Sequence, residues 1–146
     1  MENREKFTSG SKGVTAFIAC SKTKSHFKCA ARLLYQGSLF KKALMYTERN
    51  YKYVYILSAK YGVVHPDQII EPYEKTLNTM SGKDREEWYN KVKTQMEKLG
   101  LIKPFIFFTG KLYHEAFDGE KPLSGLSLGR QLQWFNKQNK KEGFIL

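Results

Sequence analysis

Three short, almost wholly apolar runs punctuate this chain, and longer amphipathic or polar stretches separate them. The runs are Val14-Thr15-Ala16-Phe17-Ile18-Ala19, Tyr53-Val54-Tyr55-Ile56-Leu57 and Pro104-Phe105-Ile106-Phe107-Phe108-Thr109-Gly110. Runs this short, rich in β-branched and aromatic residues, read as buried strands. Between the first two, Leu39, Phe40, Ala43, Leu44 and Thr47 recur on one helical face, with Lys41, Lys42, Glu48 and Arg49 free to face water. The spacing predicts a helix over 39–50 with Ser38 as its N-cap. A second helix is predicted from Ser81 to about Leu99, with Trp88, Val92, Met96 and Leu99 on its apolar side and Gly100 as the C′ residue. Beyond the third run, the pattern predicts a short helical segment over 112–117 and a turn at 118–122. Gly125-Leu126-Ser127-Leu128-Gly129 then leads into a last helix through Gln131, Leu132, Trp134 and Phe135. Pro66 and Pro72 mark an extended stretch over 63–80, long for an inert connection. Residues 1–12 are polar and read as a disordered tail, leaving one domain over 13–146.

Near-continuous apolar strands joined by helix-bearing segments predict a mainly parallel central sheet covered on both faces. The expected architecture is a single-domain three-layer α/β/α sandwich of Rossmann-like type. Right-handed crossovers would bring the carboxyl ends of all three strands to one edge, where open α/β sheets bind ligands. That edge would gather Cys20 to Lys24, Ser58 to Gly62, and Thr109-Gly110.

Charge sharpens the picture more than size does. The 146 residues carry 25 basic and 14 acidic side chains, a net charge of +11. Residues 1–60 hold 12 basic against 3 acidic side chains, a net of +9, so most of the excess lies in that part. Such a field favours polyanionic partners, and a nucleic acid or a phosphorylated nucleotide is the expected one. No apolar run approaches a membrane span and no signal-peptide core opens the chain, so a cytoplasmic protein without membrane contact is expected. Two cysteines make no disulfide framework.

Lysines and hydroxyls after a buried strand suit phosphate, and the backbone of Cys20-Ser21-Lys22-Thr23-Lys24 has the makings of an anion nest. The spacing of a phosphate-binding Walker loop is absent. Ser58-Ala59-Lys60-Tyr61-Gly62 repeats the hydroxyl, base and glycine after the second strand. Candidate catalytic residues are therefore Ser21, Lys24 and Lys60. Candidate substrate contacts are Cys20, Lys22, Ser58, Tyr61, Gly62, Tyr73, Thr109, Gly110, Gly125 and Gly129, with Tyr61 or Tyr73 stacking on a base. Cys20 is also a possible nucleophile, though a strand-end thiol more often packs as a small apolar group. His65, Asp67 and Glu71 are secondary acid–base candidates. The histidines, cysteines and acids show no metal spacing, and no cofactor is expected.

These segments resemble an uncharacterised bacterial and phage domain family. Its Cys-Ser-Lys-x-Lys motif is Cys20 to Lys24, and its Leu-Ser-Ala-Lys-x-Gly is Leu57 to Gly62. Its Pro-Tyr-x-x-Thr-Leu is Pro72 to Leu77, and its late Pro-Leu-x-Gly-Leu-x-x-Gly-x-x-Leu-x-Trp runs from Pro122 to Trp134. Tyr35 and Ser38 fit a further motif whose phenylalanine falls one position early, at Phe40. Cys20, Ser21 and Lys24 are also similar to a motif of archaeosine synthase, a tRNA-base-modifying enzyme, with Ala19 where that motif has proline. The relevant domain of that enzyme resembles the uracil-DNA glycosylase fold, which implies the same layered architecture. The water-activating motif of those glycosylases is not visible here.

The leading expectation is an enzyme that processes a nucleobase or nucleotide, by glycosidic cleavage or base modification on nucleic acid. Its phosphates would be held by Lys22, Lys24 and Lys60. The alternative is a non-catalytic nucleic-acid- or nucleotide-binding protein of phage or defence origin. A third reading is a small-molecule Rossmann-like enzyme with no affinity for oligonucleotides.

Overall fold

The computed structural model describes residues 13–143; the expected tail over 1–12 lies outside them. Its centre is β1 (Thr15–Ala19), flanked in parallel by β3 (Tyr53–Ser58) and β6 (Phe105–Phe108). Register runs from Thr15 opposite Tyr53 to Ala19 opposite Leu57 on one side, and from Thr15 opposite Phe105 to Ile18 opposite Phe108 on the other. A fourth strand, β4 (Gly62–Val64), returns antiparallel along β3, giving the order β4-β3-β1-β6. The protein is thus a mixed α/β fold on a mostly parallel sheet.

The three parallel strands coincide with the three apolar runs because each is buried along nearly its whole length. Successive strand residues face opposite ways, so Phe107 and Phe108 mark the two sides of the sheet. Phe108 meets Tyr46 of α2 (Ser38–Asn50) and Trp134 and Phe135 of α4 (Leu128–Lys141). Phe107 stacks between Phe17 and Phe117, and Phe117 in turn meets Trp88 of α3 (Gly82–Leu99).

Helix signals were good at α3. Ser81 accepts the Asp84 N–H as N-cap, Trp88, Val92 and Met96 are buried, and Gly100 closes the helix at φ 60°. Leu99 departs from that face and is exposed. At α2 the N-cap is Gly37, not Ser38. The Gly37 N–H is taken by Ser21 Oγ, so Ser38 is carried into the first turn. The segment expected to be helical over 112–117 forms only a 3-10 turn at Lys111–Tyr113.

The stretch over 63–80 is ordered. It contains β4, then β5 (Ile69–Ile70) paired antiparallel with β2 (Cys29–Ala30), then a 3-10 turn at Leu77–Thr79. The four-residue α1 (Ala31–Leu34) follows β2 directly. Two-residue strands show no periodicity, so they leave no pattern in the chain. β4 turns back because Ser58 Oγ accepts the N–H groups of Lys60 and Tyr61, and Gly62 adopts φ +78°. Gln95 of α3 pins that edge, its Oε1 accepting from Val63 N and its Nε2 donating to Tyr61 O.

Candidate functional site

Parallel register puts the ends of β1, β3 and β6 at one edge of the sheet. The Cys20 N–H continues the ladder onto Leu57 O at 3.0 Å. The loop beyond it folds back on the segment before α2, through Ser25 N to Leu34 O, Gln36 N to Thr23 O and a bridge between Lys24 and Tyr35. Ser21 Oγ donates to Thr23 O at 2.7 Å while accepting from Gly37 N, so its hydroxyl braces the loop. Lys22 is exposed. Lys24 is turned inward, with Nζ donating to Lys22 O and lying 4.4 Å from the centre of the Tyr73 ring. Burial lowers its pKa, opposed by the nearby Cys20 and Glu74.

Under that lysine runs a chain of hydroxyls. Ser58 Oγ donates to Tyr73 Oη at 2.8 Å, and Tyr73 Oη bonds Tyr35 Oη at 2.8 Å. Burial, then proximity to Cys20, raises both tyrosine pKa values far above the ordinary range, so both stay neutral. Trp88 Nε1 donates to Ser58 O at 2.9 Å, which ties α3 to the same point. Ser58 and Tyr73 therefore form the inner frame of the edge. Tyr61 sits edge-on to Tyr73 and donates to Glu71 O. Lys60 is exposed, with Nζ 5.2 Å from the centre of the Tyr61 ring. Tyr73→Phe is expected to lower stability by about 1–3 kcal/mol, because it strands the buried Ser58 and Tyr35 hydroxyls. Urea unfolding measures this; an unchanged midpoint would show that the chain of hydroxyls carries no stability.

The third arm follows β6. Thr109 is buried, and Gly110 opens a cavity of about 470 Å³ whose lining includes Lys111, His114, Lys121, Gly125 and Gln131. The first and third arms meet where Cys20 Sγ lies 3.5 Å from Tyr113 Oη. Burial, then Cys20, raises the Tyr113 pKa, so this hydroxyl is a neutral partner for the half-buried thiol.

Cys20, Ser21, Lys24, Ser58, Tyr61 and Tyr73 thus gather in one cluster, with Lys22, Lys60 and Gly62 around it. Gly110 and Gly125 line the neighbouring cavity, while Thr109 is buried outside that lining, against His114. Gly129 lies in the first turn of α4, outside that lining. His65 is exposed, with Nδ1 accepting from Asp67 N. Asp67 pairs with Arg32 at 2.8 Å, which holds its carboxyl below its usual pKa. Glu71 is exposed, and its carbonyl takes the Tyr61 hydroxyl.

Tyr35 stands in the chain only as a motif residue, and Tyr113, His114 and Gln131 carry no site signal there. Their only hint was position: Tyr113 and His114 fall soon after the third strand. Exposed Phe27, between His26 and Lys28, is another side chain that composition alone does not single out. Among the described residues no three His, Cys, Asp or Glu side chains gather as a metal-holding group, and no helix is long and apolar enough to cross a membrane.

No curated protein and no solved structure matches the chain. One family model does match, over residues 15–137, which takes in every strand of the sheet and most of α4. The chain therefore belongs to DUF6884, a family of unknown function.

Proposed function

We propose that this protein processes a nucleobase or nucleotide, with a basic phosphate-binding site at the carboxyl edge of the sheet. The observation that carries the reading is the parallel register of β1, β3 and β6, which brings Lys22, Lys24 and Lys60 to one edge. Lys22 and Lys60 are exposed and paired with no acid among the described residues, so their charge is available to phosphate oxygens. The half-buried Tyr61 offers a ring beside Lys60, and a base stacked there gains roughly 1–3 kcal/mol. Phe108 packs on α2 and α4, and Phe107 reaches α3 only through Phe117; cover on both sides of the sheet suits the layered, uracil-DNA-glycosylase-like sandwich that the motif resemblance implies. Fold likeness by itself carries no chemistry. A base held in a duplex would have to be flipped out to reach this edge.

The inward turn of Lys24 and the internal use of Ser21 and Ser58 favour a second reading, a non-catalytic nucleic-acid- or nucleotide-binding protein. Focus separates the two. Lys60→Ala should abolish turnover of an enzyme but cost a diffuse binder only a small share of affinity.

Oligonucleotide binding over a salt series tests the common core of both. Single- and double-stranded oligonucleotides are expected to bind with an affinity that falls steeply with salt. Lys22→Ala/Lys24→Ala is expected to lower the slope of log K against log salt by about 2. No binding at low salt by any oligonucleotide or free nucleotide would overturn the proposal.

A further inference from the structure

The cavity beyond β6 holds two side chains that are almost fully buried yet have polar atoms to spare. His114 and Gln131 are each 5% exposed. Gln131 Nε2 donates to Leu126 O at 3.0 Å, and Oε1 has no partner among the described residues. Thr109 Oγ1 lies 3.1 Å from His114 Nδ1 and donates its single proton to Gly110 O at 3.0 Å. With the single Thr109 proton placed on Gly110 O, Nδ1 carries the ring proton. This tautomer is assigned from the hydrogen bonding around Thr109. In that neutral tautomer Nε2 is an acceptor, and among the described residues no side chain donates to it.

Neither spare atom is sealed in the core. Among the described residues the sealed, unpartnered side-chain atom is Asn139 Nδ2, on another part of α4. Nε2 and Oε1 keep their access, and both residues line the cavity. At its rim stand Lys111 and Lys121, neither paired with an acid among the described residues. Glu115 also lines it, and accepts from the Tyr89 hydroxyl. Open space lies where a Cβ would stand on Gly110 and Gly125, which leaves room for a ligand against the backbone. A volume of about 470 Å³ suits a small molecule.

We infer that this cavity is the ligand-binding pocket of the edge and takes a nucleoside phosphate, with Lys111 and Lys121 on the phosphate and His114 Nε2 and Gln131 Oε1 accepting from N–H or O–H donors of the base or sugar. The pairing of two free cations with two free acceptors selects that class: an anionic group at one end and hydrogen-bond donors at the other. Burial, then the charge of Lys121, lowers the His114 pKa, which keeps the ring neutral and Nε2 free to accept. The inference rests on the reading above and deepens it. A free nucleotide and a nucleotide within a strand present the same chemistry, and the experiment separates them.

Ring-nitrogen NMR of His114 in the full chain, titrated with the 5′-nucleoside monophosphates, inorganic phosphate and a short oligonucleotide, tests it. The free protein is expected to show the Nδ1–H tautomer. At least one nucleoside monophosphate or the oligonucleotide is expected to shift the His114 ring signals, and which of them does so identifies the source. His114→Asn retains a donor toward Thr109 but removes the cavity acceptor, so it is expected to weaken binding about tenfold with the fold intact. Lys111→Ala/Lys121→Ala is expected to weaken it at least as much. An Nε2–H tautomer in the free protein would overturn the inference. So would nucleotide binding that moves only residues 20–24 and ignores the cavity variants, and that result would leave the proposed function standing. No shift anywhere with any of the probes would overturn both.

Discussion

Phe17→Ala is expected to lower the unfolding free energy by about 3–5 kcal/mol, a large part of the roughly 5–15 kcal/mol that holds a domain folded. Phe17 is fully buried on the central strand. Its ring centre lies 5.0 Å from that of Phe107, stacked, and 5.2 Å from that of Phe105, edge-on. It also faces Tyr55 across the β1–β3 pair. Removing the ring takes one partner from three aromatic contacts at once and leaves a cavity that flanking strands cannot close. Denaturant unfolding should show a lower midpoint with an unchanged slope, because the surface exposed on unfolding hardly changes. A loss under about 1 kcal/mol would mean that the aromatic core is loosely packed and can collapse around the gap.

Gly62→Ala is expected to cost about 2–4 kcal/mol. Two effects act together. The backbone at φ +78° lies in the left-handed region that side chains rarely occupy. A Cβ there would also press on the Gln95 amide, whose Cδ would be 2.9 Å away. That amide is already spent on Val63 N and Tyr61 O, so moving it breaks the clamp between α3 and the β4 edge. Hydrogen exchange should rise first at Val63 and its β4 neighbours, with β1 still protected. Substitution of Gln95 by Ala separates the effects: in that background the clash with the amide is gone and the backbone cost remains. Full stability in Gly62→Ala alone would refute the geometry assigned to this turn. The same turn carries Lys60 and Tyr61, so the substitution also perturbs the phosphate and base contacts proposed there.

The parallel strands were legible in the chain because burial on both faces demands unbroken apolar runs, and Phe17, Ile56 and Phe107 each sit inside one. Capping was legible at Ser81 and Gly100 for a local reason: both act within one turn of the helix they close. The same rule placed the N-cap of α2 one residue late, since Ser21, distant in the chain, takes the Gly37 N–H. β4 and β5 were not legible. Their pairing depends on Ser58, Gln95 and β2, none of which imposes a period on residues 62–70.

The amino-acid order alone determined which segments reach the carboxyl edge of the sheet, because strand direction and crossover handedness follow from the alternation of strands and helices. It also determined the sign of the charge there. Which side chains remain free at that edge was decided only by tertiary structure. Ser58 and Tyr73 look like ligand groups in the chain, and the fold spends them on each other. His114 and Gln131 stand out in no site reading of the chain, and among the described residues the fold leaves Gln131 Oε1 without a partner beside the buried His114 ring. Hydrogen-bond capacity is a property of residue type, but its satisfaction depends on partners that only the folded chain brings within about 3 Å.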